Sequence, residues 1–564
     1  MKHFKAIAAI PRHVLLGSLF IVLATVAAYW PVFSAGFIWD DDAYVTENPL
    51  LTAPDGLWRI WFSAHSQSQY FPLVFTTLRL EYALWGLNPV GYHAVNVGLH
   101  VVNALLIWAL LRRLALPGAW LAAAIWALHP VQVETVAWVT ELKNTESTLF
   151  YLLAIFAWLN FCAGKGGRFY ALAISLHLLA LFAKTTACTL PAVLLLVLWL
   201  KNEPVNWRRI LQTLPFLLLG FGMGLLSVWW EKHLGNYEAK FHLLGGPVDR
   251  LLTAAHALWF YAGKILWPVN LTFSYPRWEM AVADGRQCVW LAAGLAVVAA
   301  LWFGRNRFGR GPAVALFFFA AVLSPMIGFI PLYTFLFSYV ADHYQYFACL
   351  GMMSLWAALA AKFFEAAPLG RWLPLALAGL LLLALGTLTF RQCRVYHSEE
   401  TLWSDTVKKN PRSWLADVHL GQIYARQTRF AEAEQSYLAG IAINPDEEAL
   451  RYNYGNMLAR VGRLDEAVTQ YQDAIKAAPT TAQIHNNLGF VFTRQHRWDE
   501  AVAEFERATA LKPNFADAFF NLGAALSAEH KMDEAVAAYQ QALRLKPDSE
   551  LFKKRLQELG VPAK

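Results

Sequence analysis

The sequence predicts an all-α protein in two parts, a bundle of membrane-crossing helices followed by a solenoid of stacked helix pairs. Three observations carry that reading. Hydrophobic residues make up 57% of the 564-residue chain and charged residues only 15%, with a mean hydropathy of +0.36, the balance of a polytopic membrane protein. Apolar runs long enough to cross a bilayer recur as far as Phe390. After Phe390 the hydropathy falls and a 34-residue period takes over.

The charge divides at the same place. Lys and Arg exceed Asp and Glu by 8 over residues 1–390, whereas the balance over 391–564 is −1. The basic excess therefore belongs to the membrane part, where it sets orientation and meets anionic lipid, and it makes no case for nucleic acid. Five cysteines, Cys162, Cys188, Cys288, Cys349 and Cys393, lack metal-ligand spacing and imply no disulfide framework.

Lys2, Lys5, Arg12 and His13 precede the first apolar run, Val14 to Phe33, and "VAA" at 26–28 resembles a signal-peptidase site. Because the run continues through Trp30 and Phe33, we read it as an uncleaved anchor with a cytoplasmic N-terminus. Further spans follow near 93–111, 118–128, 147–163, 169–184, 187–200, 210–230, 288–304, 312–331, 342–363 and 372–390. Arg112, Arg113, Lys165, Arg168, Lys201, Arg208, Arg209, Arg305, Arg307, Arg310, Lys362 and Arg371 then all fall in cytoplasmic loops. Ala254 to Trp267 is apolar but short and carries His256, Tyr261 and Lys264, so it reads as a helix lying on the outer face or re-entering it. Eleven crossings result, and the C-terminal part lies outside. We read the domains as a membrane part over 1–390, a linker helix over 391–409, four repeats over 410–547, and a capping helix with tail over 548–564.

The repeats have a physical signature. Pro411, Pro445, Pro479, Pro513 and Pro547 recur every 34 residues, in step with Gly421, Gly455, Gly489 and Gly523 and with Tyr437, Tyr471, Phe505 and Tyr539. A small residue where two helices touch, an aromatic wedge and a closing proline define tetratricopeptide units. Asn453, Asn487 and Asn521 hold one equivalent position on successive first helices, with His419 there in the first. Side by side, such amides can donate to and accept from the backbone of an extended peptide, although asparagine is also common there for packing.

In the membrane part the most informative stretch is "GFIWDDDAYVTENP", Gly36 to Pro49. Asp40, Asp41 and Asp42 follow the first span directly, and acids at the foot of a membrane helix face water or a polar cavity. The next two exterior loops hold partners for them. Arg79 precedes His93, Asn96 and His100, whose spacing puts the last three on one helix face, where they serve a site or bind helices together. His129, Glu134, Glu141, Lys143 and Asn144 gather in "HPVQVETVAWVTELKNTES". Lys184, Arg250, Lys264, Asp342, His343 and Tyr346 share the same side of the membrane, and a cation there suits a lipid-linked phosphate.

The order of these motifs, "GLNPVGYHAVNVGLHVVNALL", "HPVQVETVAWV", "ADHYQYFACLG" and then the repeats, resembles the transmembrane-and-tetratricopeptide-repeat protein O-mannosyltransferases and bacterial relatives, of the GT-C class. The resemblance implies transfer of a sugar from a polyprenyl-phosphate donor to Ser or Thr hydroxyls of an exported protein. It implies an inner-membrane enzyme with a periplasmic or exterior repeat domain, and inversion at the anomeric centre. It places the acidic pair on Asp40 and Asp41 and carries over His129, Glu134, His93, Asn96 and Arg79, with Asp42 an addition. The chain departs from the family pattern at Phe71, at Lys184–Thr185 and at His343, where arginine, "KE" and arginine are expected, which puts the donor sugar in doubt.

On this reading Asp41 is the base and Asp40 its orienting neighbour, or the reverse, with neighbouring acids and a water-poor cleft raising the pKa. Phosphate leaves already ionised, so no general acid is needed. Arg250 and Lys184 are the cations chosen for it, with Arg79 and His343 beside them. No cofactor is implied, although the three aspartates leave a divalent cation open in place of those cations. The competing reading is a membrane-anchored scaffold whose repeats hold exported or envelope proteins without catalysis.

Overall fold

The computed structural model describes residues 11–63, 69–234, 245–278, 285–329, 333–367, 370 and 372–561. Lys2, Lys5, Arg371 and the tail beyond residue 561 lie outside the described residues. The described elements are helical. The chain divides into two compact units, Met1–Asp405 and Thr406–Lys564, at a point inside the helix Glu399–Lys409.

In the first unit, six helices are long and apolar enough to cross a membrane: Pro89–Arg113, Val139–Cys162, Trp207–Trp230, Cys288–Phe308, Cys349–Ala366 and Trp372–His397. Five shorter apolar helices coincide with the remaining expected spans. The outermost members show what solvent they need. Cys288–Phe308 buries none of its residues yet has a mean hydropathy of 1.7, so water would face a wholly apolar rod and lipid must cover it. Pro247–Leu266 forms one helix, burying Leu252, Ala254, Ala257 and Tyr261 while Val248, Leu251 and Leu266 are exposed. A helix with one packed and one apolar outward face suits the membrane surface.

Breaks between helices create the polar interior. Pro130 ends Ala119–Leu128, and His129 caps the next turn by accepting from Val131 N. Lys184 adopts an extended backbone between Arg168–Ala183 and the short turn Thr185–Thr189. Such non-helical backbone at membrane depth is stable only where protein surrounds it.

The second unit holds the four helix pairs, from Trp414–Arg426 to Met532–Leu545, and the capping helix Glu550–Glu558. The glycine period has a steric cause. A Cβ at Gly421, Gly455, Gly489 or Gly523 would stand 2.4–2.9 Å from the ring of Tyr437, Tyr471, Phe505 or Tyr539. Arginines at the same step join neighbouring repeats: Arg460 donates to Ala425 O (2.9 Å) and Arg494 to Ala459 O, each satisfying an end carbonyl of the preceding first helix.

One repeat contains a titrating pair. His485 Nδ1 lies 2.6 Å from Glu504 Oε2, and this hydrogen bond raises the imidazole above its usual value. A raised folded-state value means the pair's stabilisation is full below the unfolded value and fades as pH rises through the folded one. Protection of the 482–511 amides from hydrogen exchange, corrected for intrinsic rate, should fall by up to about fivefold across that window, and His485→Gln should remove the dependence.

Candidate functional site

The site begins with a turn. Trp39 takes φ +47, a region costly for an aromatic residue, and its ring stacks on Trp138 at 5.5 Å while its edge contacts involve Phe273 and Trp403. Those contacts offset the strain and fix the direction of the two residues that follow. Asp41 turns inward, where Oδ1 accepts from Thr140 N (2.8 Å) and Thr140 Oγ1 (2.6 Å), and Oδ2 accepts from Ile38 N (2.9 Å). Asp42 is exposed and accepts from Thr46 Oγ1 (2.7 Å) within the π-helical turn Asp42–Thr46.

Asp40 differs from both. It is half-buried, and its carboxylate accepts no hydrogen bond from the described residues. The Lys143 ammonium and the Glu141 carboxylate are its charged neighbours. Burial raises its carboxyl above the usual range, with Lys143 opposing and Glu141 adding to the rise. Burial pushes Asp41 up to about 7 against its three donors.

Behind Asp40 lies a buried charge network. Glu141 pairs with Lys143 (2.8 Å) and Lys184 (3.5 Å), and Lys184 Nζ also donates to Asn144 Oδ1 (2.7 Å). Asn144 in turn donates to Glu141 and to His343 O (3.1 Å). The Lys143 ammonium sits over the rings of Tyr44 and Trp138 at 5.5 and 5.6 Å. Glu134 accepts from Asp342 N (3.0 Å) and stands 2.7 Å from His343 Nδ1, while His343 Nε2 faces Glu141 Oε1 at 3.8 Å. Burial first, then the adjacent Asp342 carboxylate, raises Glu134 well above the carboxylate range. Tyr275 OH donates to both oxygens of Asp342 (3.1 and 3.0 Å).

The structure thus brings Asp40, Lys184, Glu134 and His343 into one neighbourhood and gives the other expected residues supporting places. Asn96 donates to Trp138 O (3.2 Å) and accepts from Thr145 Oγ1 (3.1 Å), fixing the backbone under Thr140. His93 is buried beneath the 35–36 carbonyls. His129 Nε2 bonds Ile265 O (2.9 Å), away from the acids. Arg79 spends two donors on Leu50 O and Ala53 O, holding the loop after the aspartates. Arg250 stands on the first turn of Pro247–Leu266, and no hydrogen bond or ion pair among the described residues joins it to the network. Glu141 and Lys143, the centre of the network, drew notice in the sequence only as members of a crowded loop; Thr140 carried no signal. No group of three or more His, Cys, Asp or Glu among the described residues is arranged to hold a metal.

In the second unit the amides bond to each other. Asn487 donates to Asn456 Oδ1 (2.8 Å) and Tyr452 OH (3.1 Å), Asn486 to Asn487 Oδ1 (3.1 Å), and Asn521 to Asn486 Oδ1 (3.0 Å). Asn453 turns back to Ala449 O (2.7 Å) on its own helix.

Asn in place of Asp41 would point an N–H at one or more of three donors. Asp41→Asn should therefore lower thermal stability by about 1–3 kcal/mol, as an unmade buried bond does, measured by melting in detergent.

Fold and site define an all-α membrane protein with a polar interior at one end of the bundle and a tetratricopeptide array. Tetratricopeptide models match residues 446–514 and 480–548, and a second such model matches 400–448. The chain is 29% identical over 322 residues to protein O-mannosyl-transferase Tmtc1 of Drosophila melanogaster, covering 49% of this chain and 36% of that protein. It is 28% identical over 283 residues to protein O-mannosyl-transferase TMTC2 of Homo sapiens, covering 44% and 34%. A Caenorhabditis elegans protein O-mannosyl-transferase is 23% identical, covering 76% and 63%. The family expected from the motifs is thus the one the comparisons return, and the chain spans roughly a third to just under two thirds of these relatives' length. Among solved structures, MamA is 21% identical with a TM-score of 0.25, covering 26% of this chain and 81% of that one, and YrrB is 18% identical at 0.26, covering 35% and 97%.

Proposed function

We propose that this protein is a membrane glycosyltransferase that moves a sugar from a polyprenyl-phosphate donor to Ser or Thr hydroxyls of exported proteins, and that its repeats bind the acceptor. The observation that supports this most is the Asp40 carboxylate, uncommitted to any described hydrogen bond and set beside the Lys143–Glu141–Lys184 network.

The geometry favours Asp40 as base and Asp41 as the residue that positions it, because the lone pairs of Asp41 are occupied by Thr140 and Ile38. The acceptor oxygen bonds to the anomeric carbon as the bond from that carbon to the phosphate oxygen breaks. The electron pair stays on phosphate, and the hydroxyl proton passes to Asp40. Lys184 meets the negative charge of the leaving phosphate. Inversion and the exterior face of the membrane belong to the same proposal. So does the acceptor grip of Asn453, Asn487 and Asn521, in which peptide replaces the bonds the amides now make to one another.

The test is incubation of the purified protein with a polyprenyl-phosphate-linked hexose and a Ser/Thr-rich peptide, read by mass. Gain of one hexose supports the reading, and no gain with any lipid-phosphate sugar favours the scaffold, which explains the repeats but gives the buried charges no task. Changing Asn453, Asn487 and Asn521 together to Ala should raise the KM for peptide and leave donor hydrolysis as it was.

A further inference from the structure

Two hollows in the first unit meet at one side chain. The first is lined by Lys184, Asn144 and hydroxyl groups, among them Ser147, Thr148, Thr186 and Tyr344. The second is almost wholly aliphatic, with Ile155, Val193, Val197, Val314, Leu355 and others along it. Phe347 lines both.

The chemistry changes along continuous helix faces. On Leu142–Cys162, Asn144, Ser147, Thr148 and Tyr151 line the polar hollow and Ile155, one turn on, lines the apolar one. On the segment from Thr185 to Leu200 the same sequence runs Thr186, Thr189, then Val193, Val197 and Leu200, at steps of three and four that keep one face. A face that is hydroxylated at one end and aliphatic at the other matches a molecule with an anionic head and a hydrocarbon chain.

Length decides which molecule. From Lys184 to Leu200 a helical rise of 1.5 Å per residue gives about 24 Å. One leaflet of a hydrocarbon core ~30 Å thick offers only about 15 Å. An acyl chain of an outer-leaflet phospholipid stops short, whereas a polyisoprenoid continues to the far end of the groove.

We propose that the two hollows form one binding site for a polyprenyl phosphate, with its phosphate at Lys184 and its chain passing Phe347 to lie between the helices Leu190–Leu200, Gly311–Leu323 and Cys349–Ala366. The assignment rests on the lipid-phosphate reading above and adds where the donor's chain runs: inside the bundle and beyond the midplane. The hydroxyl groups that surround Lys184 then serve the phosphate and the first carbons, and the aliphatic end selects for chain length.

The experiment uses the full-length protein in nanodiscs, a polyprenyl phosphate carrying photoreactive groups along its chain, and mapping of adducts by mass. Adducts at Val193, Val197, Val314 or Leu355 are expected, displaced by unlabelled polyprenyl phosphate and not by the polyprenol lacking phosphate. Val197→Trp, which fills the groove, should cut those adducts at least about fivefold while adducts on the lipid-facing helix Cys288–Phe308 stay constant. Adducts confined to outward faces overturn the assignment, as does equal labelling of the groove by a photoreactive phosphatidylglycerol. Sugar transfer is assayed on the same preparation: labelling without transfer defeats the glycosyltransferase reading and keeps the site, and transfer without groove labelling does the opposite.

Discussion

Asp40→Asn is expected to reduce sugar transfer by about a hundred- to ten-thousand-fold, the span typical of losing a positioned base, while the protein accumulates and melts as before. Fold should survive because the Asp40 side chain holds nothing in place: the turn is fixed by the Asp41 bonds and by Trp39 on Trp138. The pH profile supplies a second readout. A base whose carboxyl is raised by burial is active only when ionised, so the rate should climb as pH rises through that raised value and be lost as pH falls below it. Comparison with Asp41→Asn separates the two neighbours. There the loss of activity should come with a loss of stability, and if Asp40→Asn proves the destabilising change of the two, the roles assigned here are reversed.

Glu141→Gln is expected to be the most damaging single change to the membrane part. One carboxylate balances Lys143 and Lys184 and faces His343, so its removal leaves two ammonium groups in the interior without a countercharge. Breaking a buried ion pair in this way costs about 3–5 kcal/mol. The measurable results are reduced accumulation in the membrane and a lower melting temperature in detergent. Adding Lys184→Met should recover part of the stability, because one stranded charge is gone, and none of the activity, because the phosphate has lost its cation. Simple additivity of the two changes would show that the residues do not act as a unit.

The two parts of the chain were not equally legible from the sequence. The array was nearly complete there: Gly455 facing the Tyr471 ring is a contact within one 34-residue unit, so the period alone reports it. The membrane class was legible for a similar reason, since an apolar run such as that of Cys288–Phe308 is a local property that lipid reads directly.

The chemistry of the site was a different matter. Asp40 and Asp41 are identical residues at adjacent positions, and only the turn at Trp39 makes one a buried acceptor and leaves the other uncommitted. Arg79 and Arg250 looked as suitable for phosphate as Lys184 until packing gave the first to two loop carbonyls and left the second outside the network. Composition, span, period and the order of motifs were set by the sequence, because each depends on neighbours a few residues away. Which acid is free, which lysine is paired and where a chain can lie between helices were settled by the tertiary structure, because burial and charge pairing depend on segments that meet only after the bundle has closed.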